Sequence, residues 1–181
     1  MPQLPIDSNI GIEENFMKSW ITGDIFMSSE IERPTLSAWA PWYFVKEILF
    51  RIQNSDIDEE HPEWRIDWIA GVAVLRVIGH VLHKVDSVKS AKHSAIINFA
   101  WREWRNNQDN HWIFTEFVEK ERNSIMKEFN FGATLPADED NRTLAFKDTE
   151  FDATQLFREA VYWWRAQLRS IEVAIIESDS K

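Results

Sequence analysis

The sequence predicts an all-α protein, a bundle of four to five helices, and three observations point there. Apolar residues recur at alternating steps of three and four over several long stretches, the spacing that keeps side chains on one stripe of a helix. Helix-start chemistry stands at the heads of such stretches: Pro41, Pro62 and the run Asp152-Ala153-Thr154-Gln155. Ten tryptophans in 181 residues bring large rings that need a core to enclose them, each with one N–H that then needs an acceptor.

Residues 1–35 carry no sustained period. Residues 13–21 fit one short helix, and Gly23, Ser28, Ser29 and Pro34 punctuate the remainder as loop. This segment is expected to be irregular and to pack on a helical domain of residues 36–181. A first helix is predicted over 37–53, with Pro41 tolerated in its opening turn, where the missing N–H has no partner in any case. After a polar connector at 54–60, a second helix is predicted over 62–86. Asp58, Glu59, Glu60 and Glu63 favour the positive end of its dipole. Trp64, Trp68, Gly71, Leu75, Ile78, Leu82 and Val85 make its inward stripe, and the small Ala70, Gly71, Ala73 and Gly79 let a neighbouring helix come close.

A third helix is predicted over 92–106, with Ile96, Phe99 and Ala100 inward. A fourth, over 112–130, places Phe114, Phe117, Val118, Glu121, Ile125 and Phe129 on one face. From Gly132 the chain reads as a long loop, with a short β-hairpin expected near 142–151. Asp152 opens the last helix, 153–176, as a capping box: its carboxylate accepts from the Gln155 N–H and the Gln155 side chain answers. Leu156, Ala160, Trp163, Trp164, Leu168, Ile171 and Ile175 face inward along it.

No cysteine is present, which excludes disulfides, thiolate zinc sites and a cysteine nucleophile. The N-terminus has no basic and apolar leader, and the longest apolar run, 68–82, is broken by Arg76 and His80. Neither a secretory signal nor a membrane span is expected, and a cytoplasmic location is. Thirty acidic against twenty basic residues give a formal charge of -10, a balance that disfavours nucleic acid unless positive charge is gathered locally. It is gathered between Arg76 and Arg105, where Arg76, Lys84, Lys89, Lys92, Arg102 and Arg105 stand against Asp86 and Glu103. That window reads either as a solvated connector between two helices or as a patch for phosphate or an acidic partner surface.

GxGxxG, GxxxxGK[ST], GxSxG and HExxH are all absent from the sequence, so the common nucleotide, P-loop, hydrolase and zincin signatures do not apply. No cofactor is implied. His80 and His83 stand three apart on the second helix, and Asp86 continues the spacing as His-x-x-His-x-x-Asp, three positions that would offer metal ligands from one helical face. The plainer reading is that the two rings flank a core stripe. On the fourth helix Glu121 falls on the apolar stripe with Arg122 one step away; charges so placed must be paired or must snorkel. They either bridge to neighbouring helices, or they hold a guanidinium at a groove to meet a phosphate or carboxylate.

The stretch Glu121-Arg122-Asn123-Ser124-Ile125-Met126-Lys127-Glu128, on a late helix of a small α-bundle, resembles the HEPN superfamily. Those are helical-bundle proteins, many of them dimeric RNA-cleaving toxins or partners of nucleotidyltransferases. Their motif is Arg, a polar residue that is often Asn, and a His after four to six intervening residues. Arg122-Asn123 matches its first half; Lys127, Glu128 and Phe129 stand where His belongs. The literal spacing is met by Arg76 and His83, although Val77 rather than a polar residue follows that Arg. The resemblance implies a non-cleaving member of bacterial type, a homodimer or the binder of a partner protein, nucleotide or RNA through Glu121, Arg122, Asn123 and Lys127. The alternatives are a ribonuclease using Arg122 with Asn123, or Arg76 with His83, and a metal-dependent bundle enzyme centred on His80, His83 and Asp86.

Overall fold

The computed structural model describes residues 34–55, 63–135, 144–147 and 151–178. The helix expected over 13–21 lies outside the described residues, as does nearly all of the irregular segment 1–35. The helical unit begins at Pro34. Within the described residues five α-helices form: α1 Trp39–Asn54, α2 Glu63–Val81, α3 Ala91–Asn106, α4 Lys120–Glu128 and α5 Ala153–Glu177. Two further stretches are wound as π-helix, Leu82–Asp86 continuing α2 and Ile113–Glu119 running into α4. A single 3-10 turn, Gln108–His111, follows α3. Helix α1 packs on α2 and α5; α5 also meets α2, α3 and the π-helical Ile113–Glu119, and α4 lies against α2.

The expected hairpin forms, with its first strand earlier than expected. Ala133–Thr134 pairs antiparallel with Ala145–Phe146, Ala133 lying opposite Phe146. Only the second strand falls within 142–151. Asp152 caps α5, accepting from the N–H groups of Thr154 at 2.7 Å and Gln155 at 3.2 Å. The reciprocal half of the capping box does not close, because the Gln155 side chain donates instead to Glu159.

Trp42, Trp64, Trp68, Trp101, Trp104 and Trp164 are buried, as the need to enclose such rings requires. Trp101, Trp104, Phe114, Trp163 and Trp164 form one continuous cluster, with successive ring centroids between 4.9 and 6.0 Å apart. The indole N–H groups of Trp42, Trp68 and Trp104 donate to the Val161 carbonyl, Glu121 and Gln167.

Three inward stripes differ from the periodicity. On α2 the stripe Trp64, Trp68, Gly71, Leu75, Ile78 and Leu82 is buried, but Val85 is exposed and Asp86 buried in its place. The π-helical turn is the cause: its i→i+5 bonding adds a residue to the turn and slips the phase by one position. On α3 the buried residues are Ile97, Trp101 and Trp104, while Phe99 is exposed. The run Ala95 to Trp101 is apolar nearly all round, and the two indoles, with the most area to bury, decide the phase. Phe129 leaves the α4 stripe because the helix ends there with φ 51°, in the left-handed region, which turns its ring to solvent.

The continuous helix Glu63–Asp86 is long and apolar enough to cross a membrane by length and composition, which the interruptions at Arg76 and His80 did not suggest. In this fold its stripe from Trp64 to Leu82 forms part of the core.

Candidate functional site

Three fully buried carboxylates act within the fold. Asp86 is fully buried and accepts from the backbone N–H groups of Ser37 and Ala38 at 2.8 and 2.9 Å, with the Lys89 ammonium at 2.6 Å. Those N–H groups precede α1 and have no partner inside it, so Asp86 caps that helix from another element. Glu172, also fully buried, accepts from the Thr35 backbone N–H and hydroxyl, from the Leu36 N–H and from the Trp39 indole. Glu121 accepts through Oε1 from the Trp68 indole at 3.0 Å and from the Gly132 N–H at 2.8 Å, tying the chain after α4 to α2.

These roles correct two expectations. Glu121 is fully buried and cannot meet an external ligand. Both Asp86 oxygens are engaged in holding α1, and among the described residues no group of three His, Asp or Glu side chains is placed to hold a metal ion. Arg122 is half-buried and donates to its neighbour Asn123 at 2.8 Å, while Lys127 is exposed. Neither Arg122, Asn123 nor Lys127 lines the cavity described next.

That cavity, of about 530 Å³, lies between α3 and the face of α2 that continues into its π-helical end. Steps of four and three along α2 bring Arg76, His80 and His83 to one side, with Lys84 next to His83; on α3, Asn98, Arg102 and Arg105 share a face by the same rule. Trp101 stands among them as a common support. The guanidinium carbons of Arg76 and Arg105 lie 6.0 and 5.8 Å from its ring centroid, within cation–π range. The His83 ring meets it edge-on at 5.7 Å. Trp101 is itself fixed from behind by Trp104 at 5.0 Å and Phe114 at 5.7 Å, so the aromatic cluster of the core sets where these cations stand.

Among the described residues the lining holds four formal positive charges and no carboxylate. Among the described residues Arg76 has one acidic neighbour, Glu119 at 3.9 Å, contributed by the second π-helical stretch and about as exposed as Arg76 itself. At that distance and exposure the pair contributes at most about 1 kcal/mol. Lys84, Arg102 and Arg105 make no ion pair among the described residues. Burial, and then the charges of Lys84, Arg105, His80 and Arg76, push the pKa of His83 below its ordinary 6.5. At neutral pH the ring is therefore uncharged and has one nitrogen free to accept a proton. The arrangement suits an oxyanion: guanidiniums that fork onto it, an ammonium, and ring N–H donors around one cavity.

The chain matches no protein-family model, no curated protein and no solved structure.

The charge window 76–105 marked the cavity in advance, although Lys89 and Lys92 stand outside the lining. The Arg76–His83 pair is brought together and the Arg122–Asn123 pair lies apart from it. Trp101 and Asn98 were not marked, because an aromatic in a Trp-rich chain reads as core and only the facing helix shows which edge meets the cavity. The π-helical turns, both beside the cavity, carry no signature in the periodicity; windings of this kind are frequent at functional sites.

Proposed function

We propose that the protein is a non-catalytic helical binding protein that takes a phosphate-bearing ligand, a nucleotide or RNA, in the cavity between α2 and α3. The observation that carries this reading is the gathering of Arg76, Lys84, Arg102 and Arg105 around one cavity with no carboxylate among the described lining residues, on a chain whose formal charge is -10. Like charges placed together repel one another and destabilise the folded chain, so an anion that neutralises them binds with gain. The cavity replaces the Arg122 region as the proposed place of binding, since Glu121 is enclosed and Arg122 is engaged with Asn123.

Equilibrium dialysis of the full chain with labelled nucleotides and RNA, at low and at raised salt, tests the reading. Binding is expected at low salt and is expected to fall as salt rises, because displaced counterions oppose it. Absence of binding to every phosphate-bearing ligand at low salt would sink it.

A second reading, a HEPN-type ribonuclease, is favoured by one observation: His83, held neutral, shares the cavity with Arg76. A neutral imidazole is the form that takes a proton from a ribose hydroxyl. RNA cleavage by the wild type and its loss in His83→Ala would support this reading, and an inert wild type removes it.

A further inference from the structure

We infer that the ligand of this cavity is a nucleoside phosphate whose base lies on the exposed ring of Phe99 while its phosphate is held inside; the inference rests on the anion-binding reading above. Phe99 is 59% exposed. Apolar side chains left singly in water are ordinary, and what sets this one apart is where it stands. Steps of four and three along α3 place Ala95, Phe99 and Arg102 on adjoining positions of the helix surface, and Ala95 and Arg102 both line the cavity. Phe44 and Phe50 are as exposed, at 69% and 62%, but they belong to α1, none of whose described residues lines the cavity.

The ring is open to a stacking partner. Exposed Trp112 and Phe129 rest on Phe151 and Phe131, whereas Phe99 makes no ring contact among the described residues. Its neighbour one turn back, Ala95, is too short to cover a ring face. Helix neighbours three or four apart have Cβ atoms about 5–6 Å from each other, a separation that one ribose bridges. A base on Phe99 therefore leaves its phosphate at the Arg102 edge of the cavity, within reach of guanidiniums that fork onto oxyanions. Asn98, also in the lining, donates through Nδ2 to the Ser94 hydroxyl at 3.1 Å. Its Oδ1 accepts nothing among the described residues and can take a hydrogen bond from a ribose hydroxyl or an exocyclic amino group. Glu103, one turn beyond Phe99, stays outside the lining, so positive charge lies to the phosphate side of the ring and the uncharged base covers the ring itself. An apolar ring at the lip contributes nothing to a bare phosphate. To a base it offers apolar surface and stacking, which is tolerant of base identity.

The test is calorimetric titration of the full chain with adenosine 5′-monophosphate, ribose 5-phosphate and a short single-stranded RNA. The first two carry the same phosphate and differ by the base. Adenosine monophosphate is expected to bind about tenfold more tightly than ribose 5-phosphate. Raised salt should weaken both and leave their ratio standing, since stacking is not screened as charge is. Phe99→Leu keeps an apolar side chain and removes the π-face. It is expected to lose about tenfold in affinity for adenosine monophosphate and to bind ribose 5-phosphate as the wild type does, while the equally exposed Phe50→Leu changes neither. RNA that outbinds adenosine monophosphate makes the nucleotide part of a strand, and RNA that does not makes it a free nucleotide; either supports the inference. Equal wild-type affinity for adenosine monophosphate and ribose 5-phosphate would overturn it and leave the anion-binding reading standing. So would a folded Phe99→Leu that binds adenosine monophosphate undiminished, or an equal loss in Phe50→Leu. Should Phe99→Leu fail to fold, the wild-type comparison decides alone. If none of the three ligands binds, the inference and the anion-binding reading both fall.

Discussion

Replacing Glu121 measures what a buried carboxylate contributes to this bundle. Its Oε1 accepts two hydrogen bonds, from the Trp68 indole at 3.0 Å and the Gly132 backbone at 2.8 Å, and its Oε2 lies 3.8 Å from the Lys147 ammonium. Trp68 and Glu121 are both fully buried, so neither the indole N–H nor the Gly132 N–H can turn to water when the acceptor goes. Hydrogen bonds to a charged group are each worth about 1.5–3 kcal/mol, and a buried donor left without a partner costs about 1–3 kcal/mol. Glu121→Leu keeps the volume and removes both bonds; part of the loss is returned because no charge is then held away from water. A net destabilisation of about 3–5 kcal/mol is expected, a drop on the order of 10 °C in Tm for a chain of this size. Glu121→Gln keeps an acceptor at Oε1 and should cost about 1 kcal/mol. Urea denaturation followed by tryptophan fluorescence measures both variants. Glu121→Leu within about 1 kcal/mol of the wild type would refute the claim that this carboxylate holds α4 and the following chain to α2, and would return it to consideration as a ligand-binding group.

Asp86→Ala leaves the N–H groups of Ser37 and Ala38 without their carboxylate, and is expected to cost about 1–3 kcal/mol in the same urea assay; a variant as stable as the wild type would show that α1 does not depend on this cap. Gly71→Ala would place a Cβ 2.4 Å from the Phe157 ring, itself fully buried, so thermal denaturation should report a loss of about 1–3 kcal/mol, and an unchanged Tm would mean that α2 and α5 can separate at this point without loss. His83 gives a pH dependence with a definite sign. Its folded-state pKa lies below 6.5, so the unfolded chain takes up this proton first, and stability falls as pH drops below about 6.5. A bound anion opposes the influence of Lys84, Arg105, His80 and Arg76 and draws the proton onto the ring, so affinity for a phosphate-bearing ligand should rise over the same acid range. The difference between wild type and His83→Asn, titrated in parallel so that the ligand's own protonation cancels, isolates the effect; identical pH profiles for the two would place His83 away from the ligand.

Much of the fold was legible in the chain because the information is local. Steps of three and four located all five helices, and Pro41, Pro62 and Asp152 lie at or just before their first turns. The need to enclose ten tryptophans foretold an aromatic core. The same local rule failed wherever one residue of phase mattered. Nothing in the identity of Leu82 to Asp86 announces a π-helical turn, and that turn exchanges Val85 for Asp86 at the buried position. On α3 an apolar surface on several sides left the phase to be chosen by Trp101 and Trp104 packing against α5 and Phe114.

What the sequence by itself determined is therefore the class of fold, the extents of its helices, and a window from Arg76 to Arg105 where positive charge collects. The tertiary structure decided which charges serve the fold and which are left for a ligand. Glu121 stands on an apolar stripe and Asp86 continues a histidine spacing, but neither these nor Glu172 show their partners until their oxygens are seen to meet the Trp68 indole, the head of α1 and the backbone at Thr35 and Leu36, from 11 to 137 residues away in the chain. Arg76, Lys84, Arg102 and Arg105 face one cavity only because α3 packs on the π-helical end of α2 and presents Trp101 beside Arg76 and Arg105. Periodicity reports which face of a helix avoids water; only packing reports which other face it meets.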